Sequence, residues 1–124
     1  MLDYKTCRIQ LHKLGFSVGL RPPKLDMVNL SRRFYNYFGF SQNTTCLKVH
    51  GFYDYKTKTI FLDPKYATMK DLDHEFVHYQ QHMKNPKAFI AWDNKMAKIA
   101  KQSCQKWLKM YYSDKNELNA RKAQ

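Results

Sequence analysis

The chain has 124 residues, with 22 Lys and Arg against 10 Asp and Glu, for a formal net charge of +12. That length supports a single domain, 1–124, with a modest core, and four Gly and four Pro are too few for collagen-like, repeat or low-complexity architectures. No apolar run approaches the ~18 residues of a membrane span, and Asp3 and Lys5 interrupt any apolar leader after Met1, so a soluble cytoplasmic protein with no membrane partner is expected, with a virion-associated setting as a secondary alternative.

Taken in chain order, residues 3–14 put Cys7, Leu11 and Leu14 at helical spacing, and Gly15-Phe16 reads as a helix C-cap. Cys7, Ile9 and Leu11 also alternate, which keeps a strand open there. Arg21-Pro22-Pro23 is a rigid break. Residues 24–38 carry the stripe Leu25, Val28, Leu30, Phe34 and Phe38 and predict a second helix, ended by Gly39. Residues 45–63 predict a hairpin: Leu47 to Tyr53 alternates, Asp54 to Thr57 suits a turn, and Thr59-Ile60-Phe61-Leu62 returns.

Asp63-Pro64 stops that strand. Thr68 then reads as the N-cap of a helix over about 69–84, with Asp71 at the third helical position in an Asp version of the capping box. Asn85-Pro86 ends it. A long helix is expected over 88–112, with Phe89, Trp92, Met96, Ile99, Cys104, Trp107, Leu108 and Tyr111 on its apolar side. A short helix over 114–123 follows, Asp114 capping it and Glu117 completing a second capping box. The cysteines, Cys7, Cys46 and Cys104, are too far apart for a structural zinc knuckle and suit free thiols in a reducing compartment.

The most informative stretch is His74-Glu75-Phe76-Val77-His78. On a helix, residues four apart share a face, so both histidines can reach one metal ion, while Glu75 lies beside it as a general base. The chain has only two glutamates, Glu75 and Glu117. A catalytic zinc needs a third protein ligand, and Glu117 on the next helix is the leading candidate, with Asp114 and Asp93 as competitors. His82 shares the histidine face, but a straight helix separates it from His74 by about 12 Å, too far for one ion. It is read as a cleft-lining residue at most.

Tyr79, Tyr111 and Tyr112 could each donate to the oxyanion of a tetrahedral intermediate, and Tyr112 is the first choice because it stands near Glu117 at a helix end. Asp71 and Asp73 suit the positive end of their helix better than an orienting role toward a histidine. His12 and His50 read as ordinary histidines.

The run from Gly51 to Ala120 resembles the small gluzincin-type zinc metallopeptidases, the minigluzincins among them. The resemblance rests on Gly51-Phe52-Tyr53-Asp54, Thr59-Ile60-Phe61-Leu62, the His74 to His78 motif and Glu117-Leu118-Asn119-Ala120 with Arg121. It implies a zincin-like α+β fold: N-terminal helices, a small antiparallel or mixed sheet, an active-site helix, a long C-terminal helix and a glutamate helix. It also implies Zn2+ held by His74, His78 and Glu117, Glu75 as general base on a zinc-bound water, and a sheet edge near Leu47–Tyr53 that holds an extended peptide. The acidic residue expected a turn after the glutamate is missing, because Arg121 stands there.

The expected function is therefore zinc-dependent endopeptidase activity on a peptide or protein substrate. The alternative is a catalytically weak zincin-fold basic module that binds nucleic acid or an acidic protein. From Lys84 onward ten Lys and Arg face three Asp and Glu, and Lys95, Lys98, Lys101, Lys106 and Lys109 recur at helical spacing, which is the feature favouring an anionic partner.

Overall fold

A computed structural model of the chain describes residues 2–30 and 49–122. In it, α1 (Tyr4–Val18) precedes a sheet of β1 (Lys24–Met27), β2 (Gly51–Asp54) and β3 (Thr59–Leu62). Four helices follow: α2 (Met69–Lys84), α3 (Pro86–Gln102), α4 (Cys104–Ser113) and α5 (Lys115–Arg121). The class is α+β.

The sheet order is β1-β3-β2. Strand β3 is central because both its faces are buried; it pairs antiparallel with β2 (Tyr53 opposite Ile60) and parallel with β1 (Leu25 opposite Ile60). The row Leu25, Ile60, Tyr53 enters one core with Cys7 and Leu11 of α1, Leu72, Phe76 and Tyr79 of α2, and Phe89 of α3. On the opposite face Phe52 stacks on Phe61 at 5.1 Å, a cross-strand pair that fixes the hairpin register. The turn is closed by Asp54, whose carboxylate accepts from the Lys56 N–H at 3.0 Å and the Thr57 hydroxyl at 2.9 Å.

Three expectations are corrected. First, α1 does not end at Gly15 but runs to Val18, and Gly19 in the left-handed region (φ 71°) caps it. Gly15 is a glycine for a different reason: a Cβ there would stand 2.6 Å from the Leu20 carbonyl oxygen, where the returning chain crosses the helix.

Second, the expected helix over 24–38 begins as strand β1. The Lys24 N–H donates to Lys58 O and the Val28 N–H to Leu62 O, so pairing with β3 overrides the helical stripe. The rest of that predicted helix, 31–38, lies outside the described residues, as do Cys46 and the Leu47–Lys48 part of the first hairpin strand.

Third, the long helix over 88–112 is two helices. Ser103, in extended conformation, ends α3 and caps α4, its hydroxyl accepting from the Lys106 N–H at 3.3 Å. The break lets Trp92 and Met96 of α3 and Trp107 and Leu108 of α4 line one cleft.

Strand β2 also starts later than expected, at Gly51 rather than Leu47 as far as the described residues show, and runs through Asp54 into a turn over 55–58; the remaining boundaries match the sequence reading. The Asp71 carboxylate turns back to accept from the Thr68 N–H (2.8 Å) and hydroxyl (3.2 Å) at the start of α2, and Asn85 ends α2 while accepting from the Ala88 N–H. No described helix is long and apolar enough to cross a membrane.

The Gly15 crossing is testable. Gly15→Ala forces the Leu20 backbone outward and should cost about 1–3 kcal/mol, read as a lower urea midpoint at unchanged m-value. A variant as stable as the parent would show that the crossing is slack.

Candidate metal centre

Helix α2 carries His74, Glu75 and His78 on its buried side, at 3%, 8% and 5% exposure. Their one-turn spacing brings the imidazoles edge to face at 5.1 Å. Both Nε2 atoms point at one carboxylate from another helix: His74 Nε2 lies 3.1 Å from Glu117 Oε2 and His78 Nε2 lies 2.6 Å from Glu117 Oε1. The three donor atoms fall within 4.8 Å of one another, and all three residues are buried.

Glu117 reaches this position because α5 is fixed at its start. Asp114 Oδ2 accepts from the N–H groups of Asn116 (2.9 Å) and Glu117 (3.2 Å) and from the Trp92 indole N–H (2.9 Å). The Trp92 ring in turn lies against His78 at 5.3 Å. Glu117 is therefore not the second half of a capping box: its carboxylate faces the histidines, and Asp114 alone caps the helix. Arg121, one turn beyond, donates to the carbonyls of Tyr111 (3.0 Å) and Tyr112 (2.6 Å), tying the end of α4 to α5.

A further support escaped the sequence reading. The Gln81 amide oxygen accepts from the His78 ring at Nδ1 (2.9 Å), and its amide NH2 donates to the Asn116 carbonyl (3.1 Å). One side chain thus fixes the His78 ring and couples α2 to the residue before Glu117. The signal was present in the spacing: Gln81 is three residues after His78, one helical turn on the same face. His74 has no such partner; its Nδ1 is buried without a hydrogen bond among the described residues. Asp71 is engaged with Thr68 and lies 3.6 Å from His50, and Asp73 accepts from Gln10 at 3.2 Å.

The electrostatics follow from burial. Burial alone would raise Glu117, but the charge of His78 and hydrogen bonds from both histidines outweigh it and bring the carboxyl down to about 2. Burial would lower His78, but the charge and hydrogen bond of Glu117, with Glu75 behind them, raise it to about 9. Glu75 is shifted upward, chiefly by burial, against the pull of the two histidines. A carboxyl biased toward holding a proton is what a general base needs to accept one.

Two imidazoles and one carboxylate, buried and convergent, form the donor set that suits a zinc ion with a fourth position left for water or substrate. Asp93 lines the cleft but is not part of the cluster, and Asp114 is spent on capping. His82 lies outside the cluster: its Nδ1 meets the Tyr53 hydroxyl at 2.7 Å in the core under β2, and burial, then Lys58, lowers its pKa.

The tyrosines are distinguished by geometry. The Tyr111 hydroxyl is 3.5 Å from His74 Nε2, its ring stacks on His74 at 6.1 Å, and burial first, then Glu117, pushes its pKa up, so it stays a donor. Tyr112 lines the same cleft but is 64% exposed, with the Arg121 guanidinium 5.4 Å from its ring. Tyr79 points away, donating to the Arg21 carbonyl at 2.6 Å.

Edge strand β2 forms one wall of the cleft, with Gly51 against Glu75. A Cβ at Gly51 would stand 2.9 Å from Leu62 Cδ2 and 3.3 Å from Glu75 Cγ, so glycine is what admits the strand this close. Compared with known proteins, the chain matches no family model, no curated protein and no solved structure.

If the three donors hold zinc, Gln81→Leu should weaken its binding about 10- to 100-fold, as loss of a ligand-orienting partner does elsewhere. Competition against a chromophoric chelator measures it. Unchanged affinity would mean that the His78 ring is held by packing on Trp92 alone.

Proposed function

We propose that this protein is a zinc-dependent endopeptidase of the gluzincin type, with a zincin-like fold. The observation that carries the reading is the convergence of His74, His78 and Glu117 at the floor of a cleft walled by Glu75 and an edge strand. Each part answers a need of peptide hydrolysis, and together they are hard to account for as packing. Three buried ionisable groups facing one another are costly to the fold unless something exploits them.

In this reading His74, His78 and Glu117 hold the ion. Zinc, when bound, makes water a nucleophile at neutral pH and polarises the scissile carbonyl. Glu75 takes the proton of the attacking water and passes it to the leaving amine, its raised proton affinity suiting both halves of the cycle. Tyr111 donates its hydroxyl toward the carbonyl oxygen as charge grows there, a role for which its position over His74 favours it above Tyr112. Strand β2, the outer strand of the sheet among the described residues, aligns an extended peptide by adding it as a strand, and Gly51 keeps that strand against Glu75. Trp92, Met96, Trp107 and Leu108 give the cleft an apolar wall that excludes water from the reacting bond.

Metal analysis of protein purified without added metal is the first test. One zinc per chain is expected in the parent, in Glu75→Gln and in His82→Ala, and none in Glu117→Ala. A parent that takes up no zinc even on reconstitution would sink the reading. With an unstructured peptide library as substrate, Glu75→Gln should be inactive while keeping its metal. Tyr111→Phe should lose about a hundredfold in kcat with little change in KM, whereas Tyr112→Phe should stay close to the parent. The opposite order would return the oxyanion role to Tyr112.

A further inference from the structure

The charges of this chain are sorted in space. Among the described residues, the cleft wall carries Asp71, Glu75, Asp93 and Glu117 and no Lys or Arg. The outer side of α3 carries Lys87, Lys95, Lys98 and Lys101, all exposed, and no carboxylate. By the 3.6-residue period Lys87, Lys98 and Lys101 fall on one narrow face, with Lys95 at its margin. From Lys87 to Lys101 the stripe is about 21 Å long at 1.5 Å per residue. Lys106 and Lys109, exposed on α4, extend the basic surface past the Ser103 break. Among the described residues none of these six lysines has a carboxylate within ion-pairing distance.

We infer that this face is a docking surface for nucleic acid, bound through its phosphates and without base readout. Three features select that partner over other anions. The exposed surface among the lysines is small or polar: Pro86, Ala88, Ala91, Asn94 and Gln102 are the other exposed residues of α3. A membrane-lying helix needs large apolar side chains on its outward face, and here Phe89, Met96 and Ala100 are turned into the protein. A protein partner would want aromatic anchors, and lysine is depleted from such interface centres. A linear row of unpaired ammonium groups on a rigid helix matches a linear polyanion, whose charges repeat every few ångströms and whose binding is driven by counterion release.

The inference is independent of the peptidase reading, since the stripe touches none of the metal ligands. Joined to it, the two surfaces divide the labour: nucleic acid docks outside, is kept from the carboxylate-lined cleft, and brings proteins bound to the same strand within reach of it.

Fluorescence anisotropy with a labelled mixed-sequence DNA duplex tests the surface, using the full chain with zinc added. The parent should bind, with affinity falling steeply between about 50 and about 200 mM salt. Replacing Lys87, Lys95, Lys98 and Lys101 together by Gln keeps helix propensity and should lower the slope of log K against log salt by about three to four. Lys5→Gln with Lys13→Gln, on α1, should leave the slope unchanged, and so should Glu75→Gln. Far-UV circular dichroism confirms that the fourfold variant is folded. Absence of binding by the parent at low salt overturns the inference, as does a fourfold variant with the parent's slope. Equal affinity and slope for a polyglutamate peptide would also overturn it, pointing to an acidic protein instead.

Discussion

A carboxylate held between two imidazoles, almost wholly out of water, is the constraint around which the rest of this molecule is arranged. Burying Glu117 unpaired would cost several kcal/mol, and burying His78 charged would cost a similar amount. Each makes the other tolerable, which is why one is shifted down to about 2 and the other up to about 9. Such a pairing works only at hydrogen-bond distance, so two helices far apart in sequence must meet to within a few tenths of an ångström. The supports of α5 meet that demand: Asp114 caps it and grips Trp92, Gln81 reaches across from α2, and Arg121 binds it back to α4. The break at Ser103 belongs to the same arrangement, because a continuous helix through 112 would carry Tyr111 and the start of α5 away from α2.

What was legible in the sequence is what local chemistry decides. Thr68 with Asp71, Asn85 before Pro86 and Asp114 before Glu117 each satisfy helix-end groups with neighbours a few residues away, so their positions could be read directly. The His74 to His78 spacing put both rings on one face for the same reason. What was missed depends on partners distant in sequence. Strand β1 looks helical in isolation and becomes a strand only because Thr59–Leu62 lies beside it. Gly15 looks like a cap until the chain is seen to cross it at Leu20. Ser103 was hidden by an apolar stripe that continues on both sides of it, although Ser is a good N-cap and could have raised the question. Helical phase separates the two tyrosines: Tyr111 follows Trp107 by four residues and shares its face, their rings stack at 5.1 Å, and it is Tyr111 that lies over His74, while Tyr112 lines the same cleft from a more exposed position.

The asymmetry between the two histidines bears on how the centre would work. His78 is oriented by Gln81, from its own helix, while the buried Nδ1 of His74 has no partner among the described residues. Arg121 stands where an acidic residue might have served His74 and is used instead to hold the α4 end. His74 is therefore held by a hydrogen bond only at Nε2, to Glu117, and otherwise by packing: Tyr111 stacks over its ring and His78 packs edge-on. Under the peptidase reading, that makes Tyr111 serve twice, holding a ligand ring with its face and reaching the substrate oxygen with its hydroxyl. A phenylalanine would keep the first role and lose the second, so the two are separable in principle.

Charge sorting adds a constraint that the metal centre alone does not impose. A protein with a surplus of twelve positive charges attracts polyanions whatever its function, and an active-site cleft of the same sign would be blocked by them. Under the peptidase reading, Asp71 and Asp93 on the cleft wall, beyond the two carboxylates the chemistry would use, would repel phosphate from the reacting groups. On that reading, the same carboxylates would favour a peptide whose side chains are neutral or basic, the composition expected of proteins that themselves sit on nucleic acid. If both proposals hold, the basic outer helix and the acidic cleft act in one direction: the first concentrates the protein where such partners are, and the second keeps the scaffold they share out of the site.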